Sequence, residues 1–257
     1  MAGEDGTAEA AWKPGLFGPA RLLARTLADF AFPPQALDGG AAPHSSGLSM
    51  AAWSRVTFLE APWCDGCGSP FEHAMGEGVL CAACDGRSRP LSRARAACVY
   101  DEHSRDLILG FKHADRTELG KLFALWLARA ADELLPEADA IAPVPLHPVR
   151  LLGRRYNQAA EMARPLARRA AKPYLADALV RTRAGTQGGK SASGRRRAVA
   201  AAFAVPPGRR RQVEGRRILL VDDVMTTGAT LEACARTLLK AGARSVDAVV
   251  VARVRER

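Results

Sequence analysis

The sequence predicts an α/β fold: a parallel sheet flanked by helices, with a small cysteine-rich module ahead of it. Three observations carry this. Residues 217–221 (RILLV) and 245–252 (SVDAVVVA) are apolar runs of strand length. Between them, residues 230–241 place Leu231, Cys234, Leu238 and Leu239 on the inner side of a helix, with Gly242 at its end. Strand, helix and strand at these lengths make a parallel pair joined by a right-handed crossover. The third observation is the grouping of four of the six cysteines as two Cys-x-x-Cys pairs.

With 257 residues and 27.4 kDa, the chain fits one ordinary domain plus a small module. A composition of 48% hydrophobic and 25% charged residues excludes a wholly disordered chain. No apolar run reaches the length of a membrane-spanning helix. The acidic start MAGEDGTAEAAWKPG lacks the basic-then-apolar pattern of a secretion signal, so a cytoplasmic location is expected.

The expected division is an N-terminal extension over 1–60, a cysteine module over 61–90 and the α/β domain over 91–257. Residues 21–32 have helical spacing, with Leu22, Leu23, Leu27 and Phe30 on one face, and Pro33-Pro34 stops them. The Gly/Ser/Pro/Ala stretch 38–50 reads as a loop. Residues 96–100 (AACVY) are a short strand. Residues 103–113 form a short helix with Ser104 at its N-cap. A longer helix follows over 117–135, capped by Thr117, with Leu119, Leu122, Phe123, Trp126, Leu127, Ala130 and Leu134 as its apolar stripe. The apolar run 139–144 is a strand buried on both faces. A helix over 157–171 follows, with Pro165 as an irregularity. Residues 181–198, rich in Gly, Ser and Arg and without hydrophobic period, read as a mobile loop.

The net charge of +10 is uneven. Eleven basic residues face one acid, Glu214, between Arg181 and Arg217, and six face Glu161 between Arg150 and Arg169. Such clusters suit phosphate-rich ligands, nucleotides or a nucleic-acid backbone, and equally a solvated Arg-rich surface.

The segment 221–230 (VDDVMTTGAT) carries the most chemistry. Two carboxylates, Asp222 and Asp223, leave the end of a buried strand, and a Thr-Thr-Gly-Ala-Thr turn opens a helix. A helix N-terminus offers free N–H groups and partial positive charge, and threonine hydroxyls add donors, so the turn suits a phosphate monoester. The carboxylates would repel that phosphate and suit neighbouring hydroxyls, or a Mg²⁺ bridging to them. There is no Gly-Lys-Thr ending, which disfavours nucleoside-triphosphate hydrolysis.

This string resembles the phosphoribosyl diphosphate (PRPP) signature of type I phosphoribosyltransferases. The resemblance implies that Asp222 and Asp223 hold ribose hydroxyls, while Thr226, Thr227, Gly228, Ala229 and Thr230 cradle the 5′-phosphate. Pro143-Val144-Pro145-Leu146-His147, Arg150 and Arg154-Arg155-Tyr156-Asn157-Gln158 are similar to the pattern of the ComF family, as are Phe111-Lys112-His113, Arg181-x-Arg183 and Gln187. The likeness runs over roughly residues 60–255. It implies a type I phosphoribosyltransferase-like sheet and, in several members, service in DNA uptake during natural transformation. It makes Arg150, Arg154, Arg155, Lys190 and Arg195 candidates for pyrophosphate or nucleic-acid phosphate, with helix-surface charge as their plain role. Lys112 joins Asp222 and Asp223 as a catalytic candidate, against a solvated surface lysine. His147 reads as a structural, hydrogen-bonded histidine. Ala198, Tyr156, Arg155 and Lys190 depart from the family pattern, mostly in the loop expected to close over the site.

Cys64 and Cys67, then thirteen residues, then Cys81 and Cys84, form a zinc pattern. Each pair puts two thiolates on one tetrahedral ion, and four protein ligands leave no open position, so the zinc would be structural. The ion supplies folding energy that a module of about thirty residues lacks. A redox dithiol is the alternative, without the βαβ context such motifs need. Relatives often carry a second cysteine set after Phe-Pro-Pro. Here Phe32-Pro33-Pro34 is followed by Ala36, Gly39, Ser49 and Ala52, which implies a degenerate first finger and a mobile, metal-free 35–53 segment. Cys98 and Cys234 read as buried structural thiols.

Three readings follow. The chain is a phosphoribosyltransferase that binds Mg²⁺-PRPP and works by positioning and charge stabilisation. Or it binds PRPP while its zinc module and basic loops hold single-stranded DNA alongside a competence helicase and uptake machinery. Or it is a structural competence factor, against which the intact acidic pair and Thr-rich turn argue. The expectation taken forward is PRPP/Mg²⁺ binding at 221–230 with a role in DNA uptake. The alternative is an active transferase of nucleotide or sugar-phosphate metabolism without a DNA role.

Overall fold

The structure, a computed structural model, describes residues 36–38, 47–73, 75–113, 118–146, 156–182 and 202–255. It has two compact units, Met1–Ser49 and Met50–Arg257. In the first, the Ser49 amide and hydroxyl both donate to the Asp38 carboxylate, at 2.7 Å each, and the Leu37 amide donates to the Gly47 carbonyl. The expected helix at 21–32 lies outside the described residues.

The second unit contains a short helix α1 (Met50–Trp53), then β1 (Ala94–Val99), α2 (Glu102–His113), α3 (Glu118–Ala130), β2 (Ala140–Pro143) and α4 (Gln158–Arg169). A two-stranded ribbon of β3 (Val180–Arg181) and β4 (Phe203–Ala204) follows, antiparallel, with Arg181 opposite Phe203. A 3-10 turn (Pro207–Arg209) runs into α5 (Arg210–Val213), and β5 (Arg217–Met225), α6 (Ala229–Lys240) and β6 (Ser245–Arg253) complete the chain. The main sheet has the order β1-β6-β5-β2, with every pair parallel.

Strand alternation divides the sheet into two faces. Ala94 and Ala96, Val246, Ala248 and Val250, Ile218 and Leu220, and Ala140 and Ala142 share one core with Leu231, Cys234, Ala235 and Leu238 of α6 and Phe203 of β4. On the other face α3 packs on β1 and β6, and α4 on β2 and β5. Leu219, Leu220 and Val221 are fully buried, so β5 is covered on both sides. Each such side chain contributes about 1.5–3 kcal/mol by leaving water.

Local details differ from the sequence expectation in three places. The cap of α2 is Asp101: its Oδ1 accepts from the amides of His103 (3.1 Å) and Ser104 (2.9 Å), and the Ser104 hydroxyl accepts from the Asp101 amide in return. Two short polar side chains thus satisfy each other's amides, as in a capping box. Leu239 is exposed, and Ala235 takes the inner position in α6. The third difference is in β5. The strand continues through Asp222 to Met225, because β6 supplies a hydrogen-bonding partner as far as Arg253.

Candidate functional site

The four sulfurs of Cys64, Cys67, Cys81 and Cys84 lie within 4.8 Å of one another, with Cys67 and Cys81 Sγ 3.7 Å apart. Tetrahedral zinc with Zn–S of about 2.3 Å spaces its sulfurs by about 3.8 Å, so this donor set fits the ion. The Cys81 amide donates to Cys64 Sγ at 3.2 Å. Burial opposes ionisation of Cys64, but backbone amides of Cys81 and Cys67 directed at its sulfur outweigh this and bring the thiol down to about 7. Burial, with the Cys67 charge, raises Cys84. Burial and the neighbouring sulfurs raise Cys81.

The module is seated along the edge of β1. Phe58 bridges to Cys98 in antiparallel fashion, and the Ala94 amide donates to the Gly66 carbonyl at 2.9 Å. Gly68 has φ +67°, and a Cβ there would lie 2.5 Å from the Ala94 carbonyl oxygen, so only glycine fits. Arg95, 1% exposed, donates to the Asp65 carboxylate and carbonyl at 2.8 Å each, and pairs with Glu133. Its guanidinium also stacks 5.4 Å from the Trp63 ring centre. A buried arginine thus ties the first cysteine knuckle to the sheet and to the turn after α3.

At the carboxyl end of β5, Asp222 pairs in register with Val250 and Met225 with Arg253. Because the ladder continues, Asp222 and Asp223 leave the strand in opposite directions rather than side by side in a turn. Asp222 falls on the α6 face: after burial, its carboxylate is the next cause that raises the Cys234 thiol. The Asp223 amide donates to Asp222 Oδ1 at 2.9 Å. Three residues on, Thr226 and Thr227 are exposed, and Gly228 caps α6 at φ +74° with no side-chain hydrogen bond to the helix N-terminus. Gly228 has no side chain with which to cap the first N–H groups of α6, and Ala229 and Thr230 are half-buried beside them.

The two motifs meet. A small cavity is lined by Cys67 and Cys84 of the module, by Arg87 and Arg89, by Thr226, Thr227 and Gly228 of the turn, and by Glu232 and Arg253. Arg89 Nη1 lies 2.7 Å from Cys84 Sγ, and its Nε lies 3.4 Å from Glu232 Oε1. Arg253 is buried and donates to the Cys67 carbonyl, while its Nε has no partner among the described residues.

Of the residues singled out from sequence, the structure assembles Cys64, Cys67, Cys81 and Cys84, and places Asp222, Asp223 and Thr226 to Thr230 in one continuous strand, turn and helix. Lys112 lies in α2, with its side chain outside the described residues. His147, Arg150, Arg154, Arg155, Lys190 and Arg195 also lie outside them. The sequence carries no signal for Arg89, Glu232 and Arg253, since Arg89 and Glu232 stand 143 residues apart and no spacing rule joins them.

Residues 157–257 match the family described as phosphoribosyl transferase domain. The chain is 32% identical over 214 residues to DNA utilization protein YhgH of Escherichia coli (strain K12), covering 78% of this chain and 90% of that protein. It is also 32% identical over 200 residues to competence protein F of Haemophilus influenzae, covering 75% and 85%. The chain belongs to the ComF family. Among solved structures the chain is similar to a glutamine PRPP amidotransferase from B. subtilis complexed with ADP and GMP, at 25% identity, covering 54% of this chain and 26% of that one, with a TM-score of 0.35. Residues 221–230 fall inside the matched phosphoribosyl transferase region. Among the described residues no helix is long and apolar enough to cross a membrane.

Proposed function

We propose that this ComF-family chain binds PRPP with Mg²⁺ at 221–230, carries a structural zinc on Cys64, Cys67, Cys81 and Cys84, and serves the handling of incoming DNA in the cytoplasm. One observation carries the PRPP reading: the acidic pair ends a doubly covered strand and runs straight into a Thr-rich turn at a helix N-terminus whose N-cap is a glycine. The 5′-phosphate sits on the amides of 228–230 and the Thr226, Thr227 and Thr230 hydroxyls. Asp222 and Asp223, at the rim, accept from ribose hydroxyls. Mg²⁺ bound with the ligand neutralises its pyrophosphate. Charge development at the sugar during transfer needs positioned groups more than proton-transferring side chains. Lys112, Arg150, Arg154, Arg155, Lys190 and Arg195 are the candidates for the pyrophosphate or a nucleic-acid backbone. The DNA role is supported by the names of the YhgH and competence relatives and by the basic clusters. The domain arrangement proposed with it is an extension over 1–60, a zinc module over 61–90 and the transferase-like domain over 91–257. The alternative is transfer in nucleotide or sugar-phosphate metabolism without DNA.

Calorimetric titration of Mg²⁺-PRPP into the zinc-loaded protein tests this. Saturable binding is expected in the wild type and absent in the Asp222→Ala/Asp223→Ala double variant. A folded, zinc-loaded wild type that gives no binding heat overturns the reading.

A further inference from the structure

Glu232 stands one turn into α6, beside the turn read as a phosphate site, and a carboxylate there repels a phosphate. Its partners are Arg89, which reaches it from the cysteine module at 3.4 Å, and Arg236, more exposed and 3.7 Å away. Arg89 is simultaneously held at 2.7 Å from Cys84 Sγ. Its side chain is 16% exposed and that of Glu232 27%, so the pair is partly shielded from solvent and less screened than a surface pair. The cavity between module and turn brings Arg87 and Arg253 to the same space.

We propose that Arg89 is a positioning residue through which the cysteine module sets the charge and the order of the phosphate turn, an inference that rests on reading residues 226–230 as a phosphate site. The guanidinium is aimed by the Cys84 sulfur. It neutralises Glu232 and clamps the first turn of α6 to the module. The cysteine module is then a wall of the ligand pocket as well as a fold-stabilising element.

The test uses the zinc-loaded full-length protein with ribose 5-phosphate as probe. Amide hydrogen exchange over 226–234, which needs no ligand, is followed in parallel. In Arg89→Met, Glu232 keeps only the more exposed Arg236 at 3.7 Å, and is expected to weaken ribose 5-phosphate about tenfold and to speed exchange in this segment by a similar factor. In Arg89→Met/Glu232→Gln, affinity returns to within about twofold of wild type, because the repelling carboxylate is gone, while exchange stays fast. Glu232→Gln alone leaves the module untouched, and is expected to bind at least as well as wild type with faster exchange. Unchanged affinity and unchanged exchange in Arg89→Met overturn the inference while the phosphate site stands. A loss of affinity that the double variant does not restore also overturns it. A wild type that binds no ribose 5-phosphate, with exchange that still responds to Arg89→Met, removes the phosphate reading and keeps the clamp.

Discussion

Gly68→Ala puts the seating of the cysteine module on β1 to a quantitative test. Gly68 has φ +67° and Gly86 has φ +66°, so alanine at either position carries the same backbone strain, about 1 kcal/mol. They differ in space. A Cβ on Gly86 meets nothing within 4 Å, whereas one on Gly68 falls 2.5 Å from the Ala94 carbonyl oxygen and 3.3 Å from Arg95 Cα. Both neighbours are strand backbone and cannot rotate away. Relief requires the knuckle to lift from β1, which breaks the bond from the Ala94 amide to the Gly66 carbonyl, about 1 kcal/mol. The displaced packing costs a further 1–3 kcal/mol or so. Gly68→Ala is therefore expected to lose about 3–5 kcal/mol and Gly86→Ala about 1. At roughly 2–4 °C per kcal/mol for a unit of this size, thermal melting separates the two variants clearly. Zinc release to a colorimetric chelator should be faster in Gly68→Ala alone. Equal melting temperatures and equal release rates for the two variants would refute the argument that the first knuckle is packed against the sheet.

Two further predictions concern chemistry. Burial, aided by the Asp101 charge, pushes the Cys98 thiol up to about 12, and burial raises Cys234 as well. A raised thiol stays protonated as pH climbs. Iodoacetamide at pH 8 should thus label neither Cys98 nor Cys234 in the folded protein, the Cys98 thiolate being roughly one part in ten thousand. Chelation should expose only the four clustered cysteines, and mass mapping that finds Cys98 modified first would contradict this packing. Single-stranded DNA affinity, measured by fluorescence anisotropy between about 50 and 200 mM salt, should fall steeply, since the basic stretch 181–217 contains one aromatic, Phe203, which is buried in β4. A nearly flat salt dependence would sink the electrostatic account.

What the sequence disclosed and what it hid have separate physical causes. The cysteine pairs were legible because four thiols able to share one ion recur at fixed spacing within one short segment. The apolar core of β5, residues 218–221, was legible because burial on both faces leaves a continuous hydrophobic run. Its extension through Asp222 to Met225 was not, since carboxylates give no strand signal and the partner that completes the ladder is β6, twenty-odd residues later. Arg95 hid in the same way. An arginine suggests a surface, and this one is buried because Asp65 and Glu133, from two other parts of the chain, meet it. The family motifs around residues 143–158 and 181–203 named ligand candidates, but most of those side chains lie outside the described residues. The contact between the cysteine module and the turn at 226–228 could not be read from either motif alone, because it arises when β1 and β6 become neighbours and bring the two together.

The central claim is that a phosphorylated ribose rests on the turn between β5 and α6. The most direct measurement is the shift of backbone amide resonances on titrating ribose 5-phosphate into zinc-loaded, isotope-labelled protein. Saturating shifts, largest at Gly228, Ala229 and Thr230 and abolished in the Asp222→Ala/Asp223→Ala variant, are the predicted result. Saturation with the largest shifts elsewhere on the protein, or no shift at these three amides, would contradict it.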